Sequence, residues 1–352
     1  MAATPQKKMQ YVRLGNSGLK VSKIIMGTMQ YGNRSWGQPW ALGEEEALEH
    51  IKYAYEHGIT TFDTADIYSN GYSEIILGNA IKKLSLPREE LVIMTKIWSP
   101  VNPKRDIDIT YTGKSPEEFG VINQYGLSRK HIFDGVKACL KRLQLEYIDV
   151  LQCHRFDANT PIAETMQALH DVVQAGWVRY IGMSSCYAYQ FHAMQNYAIT
   201  NKLTPFISMQ NHYNLVYREE EREMIPTLKT FGTGCIPWSP LARGVLTRPW
   251  KESSGSNTER SQFDPWAHGY VGAGTQEIVS RVEQLAKKKG ISMAQVALAW
   301  SLSKEHVTAP IVGSTKLENL QEAIDALEIK LTEDEIKSLE EAYQPTAVFG
   351  HW

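Results

Sequence analysis

Eight short apolar runs follow one another along the chain, an amphipathic helical pattern comes after each of them, and hairpin signals are confined to the first twenty or so residues. Strands that are apolar on both sides and separated by helices predict a parallel sheet buried on both faces. Eight such units fit a closed α/β (β/α)8 TIM barrel better than an open doubly wound sheet.

The elements follow in order. YVRLGNSGLKVS (11–22) has GNSG between two short alternating runs and reads as an N-terminal β-hairpin. The eight strand segments are KIIMGT (23–28), ITTFD (59–63), LVIMTK (91–96), YIDVLQ (147–152), VRYIGMS (178–184), FISMQ (206–210), TGCIPW (233–238) and VTAPIVG (307–313). A helix is expected to begin near Ser73. In SRKHIFDGVKACLKRL, Ser128 is the expected N-cap, with Ile132, Val136, Cys139, Leu140 and Leu143 at helical spacing. TPIAETMQALHDVVQAG ends on Gly176, and LTEDEIKSLEEAY opens with a capping box from Thr332 to Glu335. Helical runs over 276–289 and 292–303 fall within one long crossover before the last strand.

Two stretches break the rhythm, 97–127 and 243–274. Loops of that length are lids, binding loops or disordered segments, and in a barrel both lie at the C-terminal face of the strands. No linker divides the chain, so a single domain is expected over 1–352, with a core over about 10–344 and a tail at 1–9.

A net charge of -2 with interspersed signs leaves no basic stripe for nucleic acid. No apolar run approaches the roughly 18 residues that span a bilayer, and the N-terminus lacks a signal-peptide core, so a soluble cytoplasmic protein is expected. Cys139, Cys153, Cys186 and Cys235 are scattered, which suggests reduced thiols rather than a disulfide framework or a zinc site. No heptad run or apolar stripe decides an oligomeric state.

Residues at the strand C-termini of a barrel converge on one mouth. Asp63 ends the second strand with Tyr68 on the loop after it, Lys96 ends the third, and the fourth runs to His154. Taken singly these are a turn cap, a packed aromatic, a solvated amine and a structural histidine. Together they make a carbonyl-reducing site: an ammonium favours phenolate and so makes a tyrosine hydroxyl a better proton donor. Asp63 would neutralise the ammonium, and His154 would hydrogen-bond the carbonyl oxygen. The strand ends supply no clustered His/Asp set for metal-dependent hydrolysis.

From Leu14 to about Tyr343 the chain resembles an aldo-keto reductase. The motifs are G-T-M at Gly27–Met29, F-D-T-A-x-x-Y with Asp63 and Tyr68, T-K at Lys96, and the run ending D-V-L-Q-C-H-R-F-D around His154. Further on come I-G-M-S-S (181–185), M-Q-N-H-Y-N (209–214), W-S-P-L-A-R-G (238–244) and P-I-V-G-S-T-K (310–316). The resemblance implies NADPH lying extended across the mouth without a Rossmann fold, and no GxGxxG fingerprint follows a strand.

Carried over residue by residue, the resemblance makes Tyr68 the acid, tuned by Lys96 and Asp63, with His154 orienting the carbonyl. Gly27, Thr28, Met29 and Asp63 border the cofactor at the mouth. Ser184, Ser185 and Gln210 lie at the carboxamide, and Trp238 stacks on the nicotinamide. Ser239, Pro240, Leu241, Ala242 and Gly244 hold the pyrophosphate, while Gly313, Ser314, Thr315, Lys316 and Asn319 take the adenosine phosphates by helix N-terminus logic.

The chain departs from the family pattern at several of these positions. Ser184-Ser185 stands where relatives often have Ser-Asn, and Trp238 where Tyr is frequent. Asn319 and Ala323 replace an Arg or Gln and an Asn, which leaves Lys316 as the cation for a 2′-phosphate. Tyr31, Trp36, Trp98 and Phe156 are the expected substrate wall, for an aromatic or medium-length aliphatic aldehyde or ketone. The competing expectation is a cofactor-binding regulatory subunit with little turnover, as in the potassium-channel β-subunits of the same family.

Overall fold

The computed structural model describes residues 9–34, 39–101, 109, 112–253, 267–270 and 272–351. The hairpin forms from β1 (Tyr11–Arg13) and β2 (Lys20–Ser22), antiparallel with Val12 opposite Val21. The eight barrel strands are β3 (Ile25–Gly27), β4 (Thr61–Asp63), β5 (Val92–Ile97), β6 (Ile148–Cys153), β7 (Val178–Ser184), β8 (Phe206–Gln210), β9 (Gly234–Cys235) and β10 (Ile311–Val312). They lie in the order β10-β3-β4-β5-β6-β7-β8-β9, all parallel, and the curl closes through a bridge between Cys235 and Val307.

At the seam the expected runs 233–238 and 307–313 shorten to two-residue strands. Pro237 and Pro310 have no N–H to give the ladder. Each still accepts through its carbonyl, from Ile311 N at 2.9 Å and from Ile25 N at 3.0 Å.

Helices cover the outer face: α1 (Glu44–Glu56), α2 (Tyr72–Lys83), α3 (Arg129–Leu143), α4 (Ile162–Gln174), α5 (Ala188–Thr200) and α6 (Met224–Phe231). After β9 come α7 (Thr275–Lys289) and α8 (Met293–Ser303), and after β10 come α9 (Leu317–Asp325) and α10 (Glu333–Glu340). The caps are those the sequence marks. Ser128 Oγ accepts from His131 N at 3.2 Å, and Thr332 Oγ1 from Glu335 N at 3.2 Å. Gly176 lies two residues past α4 at φ +78°, the left-handed position that favours glycine. The described parts of the two long loops contain short helical turns at Pro116–Phe119, Ala242–Thr247 and Ala267–Tyr270.

Inside the barrel the alternation of side chains sorts chemistry by height. Leu14 and Val21 of the hairpin region pack with Ile25, Val92, Met94, Val150, Ile236 and Ile311, so the N-terminal end is plugged by apolar side chains. Two residues further along the same inward faces, Met94 gives way to Lys96 and Val150 to Gln152. The polar groups are therefore held at the C-terminal end over an apolar floor. Among the described residues no helix is long and apolar enough to cross a membrane.

Candidate active site

Strand register brings the expected groups to one height: Gly27 is level with Asp63, Lys96 with Gln152, and Ser184 with Gln210. Lys96 is fully buried, and its ammonium donates to Asp63 Oδ2 at 2.6 Å, Thr64 O at 2.8 Å and Tyr68 Oη at 3.1 Å. An ammonium has three protons, and all three are used within the protein. Burial works against the charge on Lys96, but the Asp63 carboxylate and then the Tyr68 oxygen outweigh it and hold the amine above its ordinary value.

Asp63 is tied on its other oxygen by two glutamines. Gln152 Nε2 donates to Asp63 Oδ1 at 2.8 Å and Gln210 Nε2 to the same atom at 2.9 Å. Gln210 Nε2 also donates to Gln152 Oε1 at 2.9 Å, so both of its amide protons are used and its carbonyl oxygen is left toward the cavity. Gln152 escaped the sequence reading. Its signal was a polar residue on the inward face of an otherwise apolar strand, two positions after Val150 and two before His154.

His154 directly follows β6, its backbone N donating to Ile97 O at 2.9 Å. Its ring stands edge-on to Tyr68 at 6.0 Å between centroids. Burial first, then the positive charges of Arg155 and Lys96, push its pKa well below the usual histidine range, so the imidazole is neutral. Its Nδ1 is buried without a hydrogen-bond partner among the described residues.

Tyr68 is presented by a tight turn. Ser69, Asn70 and Gly71 take left-handed backbone at φ +46°, +50° and +84° before α2 starts at Tyr72. For the two non-glycine residues this conformation costs on the order of 1–3 kcal/mol each. Hydrogen bonds beneath the turn hold it: Thr64 N to Met94 O at 2.9 Å, Asp66 N to Lys96 O at 3.0 Å, and Ser73 Oγ to Thr28 O at 2.8 Å. Asp66, on the same turn, is buried, and burial followed by the charge of Glu74 raises its carboxyl to about 8.

A cavity of about 1740 Å³ runs from Ile67, Tyr68, Trp98 and His154 past Trp238 and Gly244 to Gly313, Lys316 and Glu322. The expected cofactor residues Gly27, Thr28, Met29, Asp63, Ser184, Gln210, Trp238, Ser239, Pro240, Leu241, Gly244, Gly313, Ser314, Thr315, Lys316 and Asn319 line it. Ser185 and Ala242 do not: Ser185 is buried behind Trp238, and Ala242 packs in the second apolar cluster. Arg155, Arg243, Arg248 and Phe349 also line the cavity and were not foreseen.

Among the expected substrate residues, Trp98 is on the wall. Tyr31 is 0% exposed and packs edge-on to His50 at 6.3 Å inside the core, which takes it off the pocket wall. The loop after β3 turns back at Tyr31 to pair with Leu42, and that folds the ring inward. Phe156 is half-buried against the core and is likewise absent from the cavity lining. Trp36 lies outside the described residues.

The Aldo/keto reductase family model matches residues 23–344. The versiconal hemiacetal acetate reductase of Aspergillus parasiticus is 50% identical over 97% of this chain and 98% of its own length. A Schizosaccharomyces pombe protein named for aryl-alcohol dehydrogenase activity is 50% identical over 97% of each chain. A Fusarium vanettenii aldo-keto reductase is 46% identical over 98% of this chain and 94% of its own.

Proposed function

Because this chain belongs to the aldo/keto reductase family and is an NAD(P)H-dependent oxidoreductase, we propose that it reduces an aromatic aldehyde or ketone to the alcohol with NADPH, Tyr68 serving as the proton donor. One observation carries the assignment of Tyr68. Lys96 donates to the Tyr68 oxygen, so that oxygen is an acceptor on its inner side and its own proton is free to point into the cavity.

The residues present suit the dinucleotide. Trp238 offers a flat indole face on the cavity wall, Gln210 leaves a carbonyl for an amide N–H, and Ser239, Leu241, Arg243 and Gly244 border the cavity on a turn of left-handed backbone at Ser239, Arg243 and Gly244. Lys316, beside Asn319 at the far end, is the cation for the 2′-phosphate. When bound, the cofactor supplies the hydride.

The chain's own residues do the rest. His154, neutral by burial, aims a hydrogen bond at the carbonyl oxygen and fixes its position against Tyr68. Tyr68 Oη passes its proton to that oxygen as negative charge develops there, and the Lys96 ammonium, beside it at 3.1 Å, stabilises the phenolate left behind. Asp63, held by Gln152 and Gln210, keeps the ammonium charged and aimed. An aromatic substrate is favoured by Trp98 on the wall and by the relatives named for aryl-alcohol and for versiconal hemiacetal acetate.

The test follows NADPH and NADH oxidation by absorbance with a panel of aromatic and aliphatic aldehydes, for the wild type and Tyr68→Phe. Loss of the general acid is expected to lower kcat by roughly a hundredfold or more, with cofactor binding retained. Unchanged turnover in Tyr68→Phe removes Tyr68 from the chemistry. Tight cofactor binding with no turnover of any carbonyl favours a regulatory subunit instead.

A further inference from the structure

Two of the chain's departures from the family pattern meet in space. The Trp238 indole N–H donates to Ser185 Oγ at 3.0 Å. Ser185 is 1% exposed and off the cavity wall, whereas Trp238 is on it. On one side Trp238 stacks on His212 at 4.1 Å between centroids and 10° between planes, and Tyr217 stacks on the other face of His212 at 4.0 Å. His212 is itself fixed by Tyr270, whose hydroxyl lies 2.7 Å from its Nε2. The stack sets the plane of Trp238, and the Ser185 bond sets the rotation of the indole within that plane.

We propose that Ser185 is a positioning residue that holds Trp238 as the platform for the nicotinamide ring, and is not a ligand of the carboxamide. The inference rests on the cofactor reading above. An indole N–H that is partly buried needs an acceptor, and a tyrosine at the same place presents no ring N–H there. A serine hydroxyl supplies that acceptor on a short side chain, where the larger asparagine would compete with the indole edge for the same space. Serine at 185 and tryptophan at 238 are thus one unit, and the carboxamide is left to Ser184 and Gln210.

The unit is tested by a double-mutant cycle on NADPH and NADH binding, measured by calorimetry. Loss of one hydrogen bond that orients the platform is expected to weaken dinucleotide binding by roughly three- to tenfold in Ser185→Ala. The same change in a Trp238→Tyr background is expected to have less than about a twofold effect, because coupled residues are not additive. Ser185→Thr, which keeps the hydroxyl, restores binding. ADP-ribose and its 2′-phosphate, which lack the nicotinamide, bind all variants alike. Equal losses from Ser185→Ala in both backgrounds overturn the inference and make Ser185 a direct ligand; a loss of ADP-ribose binding also overturns it, because the substitution then disturbs the site beyond the nicotinamide. If the wild type binds neither dinucleotide, the cofactor reading fails and the inference fails with it.

Discussion

Asp66→Asn is expected to stabilise the protein increasingly as pH rises from 5 to 8. Asp66 sits on the turn that carries Tyr68, is 2% exposed, and has one carboxyl oxygen buried with no hydrogen-bond partner among the described residues. Its neighbours are Glu74, also fully buried, and Arg142, whose Nε donates to Glu74. One guanidinium faces two carboxyls. Glu74 takes the ion pair and a further hydrogen bond from Thr95 Oγ1 at 2.6 Å, so Asp66 keeps its proton, with its carboxyl raised to about 8.

An unfolded aspartate titrates near 3.9, so between about 4 and 8 the folded chain holds a proton that the unfolded chain releases. Folding stability therefore falls as pH rises, by about 1.4 kcal/mol per pH unit, and levels off above the folded value. Asparagine keeps an acceptor for the Ile67 and Trp98 backbone N–H groups but cannot ionise. The gain of Asp66→Asn over the wild type should grow by about 4 kcal/mol between pH 5 and pH 8. Urea unfolding at half-unit pH steps measures it. A difference between the two proteins that is constant over that range refutes the reasoning, because Asp66 would then be ionised throughout.

Lys96→Met leaves Asp63 buried with its charge unpaired and is expected to cost ~3–5 kcal/mol of stability, whereas Tyr68→Phe, which keeps the ion pair, should unfold close to the wild type. Gly78→Ala places a Cβ 2.4 Å from the backbone oxygen of Leu143. Because α2 and α3 must then separate, thermal unfolding should report a loss of ~1–3 kcal/mol. All four thiols are buried, and burial pushes Cys139, Cys153, Cys186 and Cys235 up from the ordinary thiol range. A disulfide-exchange reagent at pH 8 should find no fast-reacting thiol in the native protein and four after denaturation; a fast native reaction contradicts the packing around them.

The sequence alone determined the barrel, because apolar strands and amphipathic helices differ in period and each boundary carries its own chemistry: Ser128, Gly176 and the Thr332–Glu335 box all act where their residue types place them. It also named the four groups at the mouth, since parallel strands that begin together end together. Strand length at the seam was decided by local chemistry as well, through Pro237 and Pro310, although their effect shows only once β9 and β10 are seen to be neighbours.

Tertiary structure alone decided which side chains meet. Gln152 and Gln210 converge on one oxygen of Asp63 from 89 and 147 residues away, Tyr31 turns inward where an aromatic on the rim was expected, and Ser185 reaches Trp238 across 53 residues. Periodicity reports the face on which a residue stands. It says nothing of the partner that will stand opposite, because hydrogen bonds between side chains are set by the rotamers and register of strands that the sequence does not place side by side.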